Sequence, residues 1–306
     1  MTNNQTNQNS SEDPDIFDSL LLLWSEKSKI IKITLIFTVF SFGIILFSPQ
    51  KFTSSALLSP VDDSTFSAGL GAYAGLATMA GIDLGAPATS KTDIAIEVLK
   101  SREFFVKFSQ KRGLEPYLFA IKSWDNSTNK VVFDKKKYNA SKNQWINGKK
   151  LNTYKAHKIW VEDILSISKD TQTNLVSISI KHQSPTISSE ILNWLLEDID
   201  KDLRDREIAS SSKAIEFLEK EADKANSDEL KKLFYALIQD QTNKKMIAVT
   251  HPDFIFEIID PPFIPEVKSE PKSFLILISF TFLGFIIAIL YIFIISLIKN
   301  KQPKKE

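Results

Sequence analysis

Cysteine is absent from the 306-residue chain. That one absence excludes a disulfide scaffold, a thiolate zinc site and a cysteine nucleophile. An excess of one charge is also missing, since 38 basic side chains face 37 acidic ones. A nucleic-acid binder carries a strong basic excess, so no nucleic-acid partner is expected. Histidine is scarce, and His157, His182 and His251 have no ligand-like spacing, so neither a metal nor a cofactor is expected. No G-x-x-x-x-G-K-[ST] run occurs, which removes a P-loop ATPase.

What the chain does have is two long apolar runs, hidden by a mean hydropathy of −0.09. Ile33 to Gln50 gives 18 consecutive uncharged residues and Ser273 to Ile298 gives 26. A helix needs about 20 apolar residues to cross the ~30 Å hydrocarbon core, so both qualify as spans. About thirty residues precede the first run and no small-x-small cleavage site follows it, which argues against a signal peptide. Lys27, Lys29 and Lys32 flank the first span, and Lys299, Lys301, Lys304 and Lys305 follow the second. By the positive-inside rule both ends are expected in the cytoplasm, and the absence of cysteine suits a bacterial periplasm for what lies between the spans. The 225 residues from Pro49 to Ser273 carry 31 basic and 31 acidic groups and read as the translocated, periplasmic block. The expected organisation is a cytoplasmic segment 1–29, a transmembrane helix 30–48, a periplasmic domain 49–273, a second transmembrane helix 274–298 and a tail 299–306.

Within the periplasmic block the patterning is mixed, predicting an α+β fold. Ahead of the first span, Asp13-Pro14 and the stripe Ile16, Phe17, Leu20, Leu21 and Trp24 suggest a short amphipathic helix. Lys51 to Val61 has strand chemistry, and five of the nine glycines then fall between Gly69 and Gly85. Thr89 to Gly113 reads as one helix capped by Ser90 or Thr89 and closed by Lys111-Arg112-Gly113. Lys130–Asp134 is a short strand candidate. Ile164–Ser168 and Leu175–Lys181 alternate around Asp170–Asn174, predicting a β-hairpin.

Residues 186–249 are helical in pattern. Leu192, Leu196, Ile199 and Leu203 step 4-3-4 as heptad seams do. Ile215 and Leu218 continue the stripe, and Asn226-Ser227-Asp228 interrupts it with Ser227 as a cap. A long helical hairpin or a kinked helix fits. Because a small core cannot cover so long a helix, self-association through Leu192, Leu196, Leu203, Ile215 and Leu218 is expected. Phe254–Ile259 alternates as a strand. Five of the twelve prolines then fall between residues 252 and 271, and the proline-rich segment 260–272 reads as a stiff approach to the second span. Pro262, Pro265 and Pro271 share a three-residue register, as on one edge of a polyproline II strut.

The search for chemistry is nearly empty. Gly69-Leu-Gly71-Ala-Tyr-Ala74 formally matches a dinucleotide fingerprint, but no strand precedes it, and a loop is the better reading. Trp124, Trp145, Trp160 and Trp194 have rings able to stack on sugars, with core packing the favoured reading. No catalytic residue is expected.

Two terminal spans, a mixed domain with a long helical stretch and a proline-rich entry to the second span together resemble the Wzz-type polysaccharide chain-length determinants, also called polysaccharide co-polymerases. The resemblance rests on Asp18, Leu20-Leu21, Trp24 and Lys29 before the first span, on Lys51-Phe52-Thr53 and on Leu99-Lys100-Ser101-Arg102. It continues through Ser168–Thr171 with Leu175–Ile180 and through Ser184-Pro185. Most specific are Asp260-Pro261, Pro265 and Pro271, with Gly284 inside the second span; Lys268 stands where another proline is usual. The resemblance implies a non-catalytic homo-oligomer that sets the modal length of O-antigen lipopolysaccharide or a related surface polysaccharide. Its implied partners are other copies of itself, a separate inner-membrane polymerase, the growing glycan and the lipid bilayer. Some relatives carry a cytoplasmic kinase after the second span; with eight residues following it here, none is expected. The alternative is a component of capsule or exopolysaccharide export, which shares the architecture.

Overall fold

A computed structural model describes residues 23–61, 90–146, 148 and 150–300. The glycine cluster, the segment before residue 23 and the basic tail from 301 lie outside the described residues. The chain divides into two compact units, residues 1–50 with 270–306, and residues 51–269.

The larger unit is built on a four-stranded antiparallel sheet. Its strands are β1 (Phe52–Pro60), β6 (Leu165–Lys169), β7 (Val176–His182) and β8 (Phe256–Asp260), in the spatial order β6-β7-β1-β8. Strict alternation in β1 buries Phe52, Ser54, Ala56 and Leu58, while Thr53, Ser55, Leu57 and Ser59 face the other way. β7 alternates in register with it: Ser55 lies opposite Ser179 and Ala56 opposite Ile178. A one-residue slip would turn the apolar set outward, so this pattern specifies the pairing. β6 and β7 form the predicted hairpin, turning through residues 170–175.

Two strand pairs and two short helices escaped the sequence reading. The pairs are β2 (Ile121–Asp125) with β3 (Lys130–Phe133) and β4 (Tyr138–Asn139) with β5 (Gln144–Trp145). Of these only β3 was anticipated, because the polar, lysine-rich composition of 121–146 lacks alternation.

The expected single helix 89–113 is two helices, α1 (Lys91–Lys100) and α2 (Arg102–Arg112). Ser101 breaks it: its backbone is extended, and its hydroxyl accepts from Phe104 N–H, capping α2. Ser90 caps α1 as expected, and Gly113 closes α2 at φ 62°, the left-handed conformation that glycine adopts without strain. The short helices are α3 (Glu115–Phe119) and α4 (Thr153–Ile159), the latter running into a π turn over Trp160–Ile164.

The predicted helical stretch is a hairpin of α5 (Pro185–Lys224) and α6 (Asp228–Thr250). Ser184 caps α5 with Pro185 in its first turn, and Ser227 caps α6 through Leu230 N–H. At 1.5 Å per residue, 40 residues make α5 about 60 Å long. Only its first half lies on the sheet. Ile191, Leu192, Leu195, Leu196, Ile199 and Leu203 join the core formed by β1, β7, α1, α2 and Trp160, whereas beyond Leu203 only Ser211 and Ala222 are buried.

The smaller unit pairs α7 (Lys27–Phe47) with α8 (Ser273–Asn300). Helix α7 precedes β1 in the chain. Both helices are long and apolar enough to cross a membrane, and most of their large apolar side chains point outward. That suits hydrocarbon as solvent.

Candidate functional site

The sequence reading places its site residues in three regions: the proline segment, the helical hairpin and the second apolar helix. In the first, the chain leaves β8 at Asp260 and runs beside β1. Ser54, though buried, satisfies its hydroxyl by donating to the Phe263 carbonyl at 2.7 Å. Farther on, Ser269 N–H donates to the Lys51 carbonyl at 2.8 Å, and Thr53 donates to the Ser269 hydroxyl at 2.7 Å. The segment is thus pinned at both ends. Pro265 is buried between the pins, Pro261 is exposed and Pro271 is half-buried. Stiffness here comes from β1 side chains as well as from proline. No alternation or helical period marks residues 261–269, so their contacts were invisible in the sequence.

In the hairpin, Leu192, Leu196 and Leu203 are buried inside this chain. Their expected role as contacts between copies is corrected: the 4-3-4 stepping records how α5 packs on its own sheet. Ile215 and Leu218 lie past the core and are half-buried in the distal hairpin; the rings of Phe217, beside them in sequence, and of Tyr235, on α6, are exposed.

Gly284 sits at the closest approach of α7 and α8. A Cβ built on it would lie 2.7 Å from Phe37 Cβ, closer than real contacts allow. Three residues earlier in α8, Thr281 shares a 3.1 Å hydroxyl hydrogen bond with Thr38. Small and hydroxylated residues that let helix backbones approach are what hold helices together in lipid, where burial of apolar surface supplies little.

The titratable groups of the larger unit are committed to structure. His182 is buried; its Nε2 donates to the Tyr117 carbonyl at 2.9 Å and its Nδ1 accepts from Ser184 N–H at 3.0 Å. Burial holds its pKa below the ordinary value, so it is a neutral linker between β7, α3 and the start of α5. Asp198, on the sheet-facing half of α5, accepts from Lys111 at 2.6 Å and from Arg112 at 2.7 and 3.1 Å. Burial pushes its carboxyl up, but the hydrogen bonds and charges of Arg112 and Lys111 outweigh it and hold the pKa below the usual carboxylate value. His157 Nε2 meets the Lys100 carbonyl at 2.7 Å. Among the described residues, no group of three or more carboxylates and histidines is placed to hold a metal ion.

The four tryptophans of the larger unit all pack within it. Trp160 is fully buried between Phe105 and Phe108, at 5.6 and 5.8 Å. Trp124 meets Phe52 edge-on at 5.3 Å, Trp145 meets Tyr138 at 5.6 Å, and Trp194 lies under Arg112 at 5.6 Å. A polar cleft of about 340 Å³ opens beside the edge strand β6, lined by Thr53, Lys100, Glu162, Asp163, Ser166 and Lys181 among others. Nothing in the sequence pointed to it, because its walls come from four separate segments.

No curated protein matches the chain. Among solved structures, a full-length bacterial polysaccharide co-polymerase is similar at 14% identity and a TM-score of 0.38, covering 95% of this chain and all of its own. A fragment of WzzB, a polysaccharide co-polymerase from Salmonella Typhimurium, is similar at 15% identity and a TM-score of 0.29, covering 72% of this chain and all of its own. The sequence itself carries a more direct sign in its first third, which holds α7, β1, α1 and α2: residues 12–112 match the family model described as chain length determinant protein, Wzz.

Proposed function

We propose that this chain is a non-catalytic regulator of polysaccharide chain length, held in a bacterial inner membrane by α7 and α8 with its larger unit in the periplasm. The observation that carries the reading is the match of residues 12–112 to the chain length determinant model. The apolar helices at both ends supply the membrane anchor that such a role requires. The regulated polymer is O-antigen or a related surface polysaccharide, and a separate polymerase forms its bonds.

The chain acts as a homo-oligomer. The distal hairpin supports this: past Leu203, α5 has little beyond α6 to pack against, while Phe217 and Tyr235 remain exposed and Ile215 and Leu218 half-buried. Neighbouring copies are the natural cover for such a stripe. The growing glycan is a further partner.

The test is a deletion strain with and without the restored gene, its surface polysaccharide resolved by length on a gel. A modal band that disappears and returns is the expected outcome. A fall in total glycan with an unchanged length profile would replace length control by a role in export.

A further inference from the structure

The loop from Phe263 to Ser269 combines rigidity with misplaced polarity. Its backbone is tied to β1 at Phe263 through Ser54 and at Ser269 through Lys51 and Thr53. Between the ties Pro265 is buried. A loop so constrained would ordinarily turn its other apolar side chains inward too. Instead Phe263 is 51% exposed, Ile264 57% and Val267 78%. Leaving three such side chains in water is unfavourable, and their rigid display marks a surface with a partner.

The chain itself says which partner is within reach. Val267 stands six residues before Ser273, where the apolar helix α8 begins, so it can lie no farther than about 22 Å from that point. A second tether is shorter. Ser269 is bonded to the Lys51 carbonyl, and Lys51 follows Phe47, the last residue of α7, by only four residues, about 14 Å at full extension. The headgroup zone adds several ångströms beyond the hydrocarbon on each side.

We propose that Phe263, Ile264 and Val267 insert into the headgroup–acyl boundary of the outer leaflet, anchoring the larger unit to the lipid surface beside its spans. The inference rests on the reading of α8 as a membrane span. Glu266 and Glu270 alternate with Lys268 and Lys272, so the loop has no net charge and the recognition is apolar; an anionic lipid is not required.

Because the chain has no cysteine, single-cysteine nitroxide labelling of the full-length protein in phosphatidylcholine nanodiscs tests this directly. Labels at I264C and V267C should collide with oxygen, which partitions into lipid, about threefold more than with a water-soluble nickel complex. A label at Y154C on α4, an exposed position outside the hairpin, should show the reverse, and one at F282C inside α8 should be the most lipid-like. If 264 and 267 behave like 154 while 282 is lipid-like, the anchor is wrong and the span reading stands. If 282 is also water-like, both fall.

Discussion

Arg204 lies one helical turn after Asp200 on α5 and binds its carboxylate at 2.7 Å. The same guanidinium donates to the carbonyls of Ala248 and His251 at 2.6 Å and of Pro252 at 2.7 Å. Asp200, with its other oxygen, accepts from Phe254 N–H at 2.8 Å and Ile255 N–H at 3.2 Å. One ion pair therefore satisfies the open carbonyls at the end of α6 and the open amides entering β8. It joins the hairpin to the sheet at the point where α5 leaves the core.

Arg204→Ala should destabilise the detergent-solubilised chain by about 2–4 kcal/mol, because it leaves Asp200 without its charge partner and three carbonyls without a donor. Arg204→Lys should recover little, since an ammonium lacks the planar fork that reaches both sets of partners. Thermal unfolding monitored by circular dichroism gives both values; a lysine variant as stable as the parent would refute the fork argument.

His182 sets a pH dependence on the acid side. Its native pKa lies below 6.5 through burial, so below about pH 6.5 the unfolded chain binds a proton that the native chain does not. Stability should fall on acidification through that window by up to about 1.4 kcal/mol per pH unit, levelling off once the native pKa is passed. His182→Gln should flatten this part of the profile whatever it costs at pH 8.

Asp198 acts at lower pH. Its carboxyl is depressed overall by Arg112 and Lys111, so its contribution is complete above the unfolded carboxylate pKa near 3.9 and is lost as pH falls through the native one. The stability difference between the parent and Asp198→Asn should be constant from pH 6 to 8 and shrink below about pH 4. A difference that persists undiminished to pH 2 would count against the pairing.

Gly284→Val should separate α7 from α8, since even the first added carbon meets Phe37 at 2.7 Å. With Thr38→Cys and Thr281→Cys introduced, disulfide formation in membranes should be fast in the parent and at least about tenfold slower with valine at 284, a loss of some 1.4 kcal/mol in close pairing. Adding Phe37→Gly, which removes the Cβ met at 2.7 Å, should restore it.

Leu196 and Leu218 separate folding from assembly. A charge at Leu196 enters the core and should unfold the larger unit, at a cost of several kcal/mol. Leu218→Asp should leave unfolding nearly unchanged while weakening the oligomer in cross-linking and shortening or randomising the glycan. If Leu218→Asp leaves both assembly and length untouched, the hairpin contact is wrong.

Local signals carried far in this protein. Alternation in 164–168 and 175–181 announced the β6–β7 hairpin, because a strand buried on one face has a period of two, whereas 51–61 showed only strand-favouring chemistry. Ser90 and Ser227 announced helix starts, because a cap uses a side chain to bond amides two or three residues away. The apolar runs announced the two long helices by length alone. In contrast Ser101, a good cap within a helical stripe, looks the same in sequence whether it starts a helix or sits inside one.

The sequence by itself determined the two apolar helices, the helical hairpin, the β6–β7 pair and the likeness to chain-length determinants, since each rests on periodicity, capping or motif within a short window. Only the tertiary structure decided which way the stripes face. Leu192, Leu196 and Leu203 turn to their own sheet rather than to a second copy, Gly284 is small because Phe37 lies against it, and Phe263, Ile264 and Val267 stay outside while Pro265 goes in. Each of these depends on contacts between residues far apart in the chain. A helical or proline-rich pattern encodes that a face is apolar, not what will cover it.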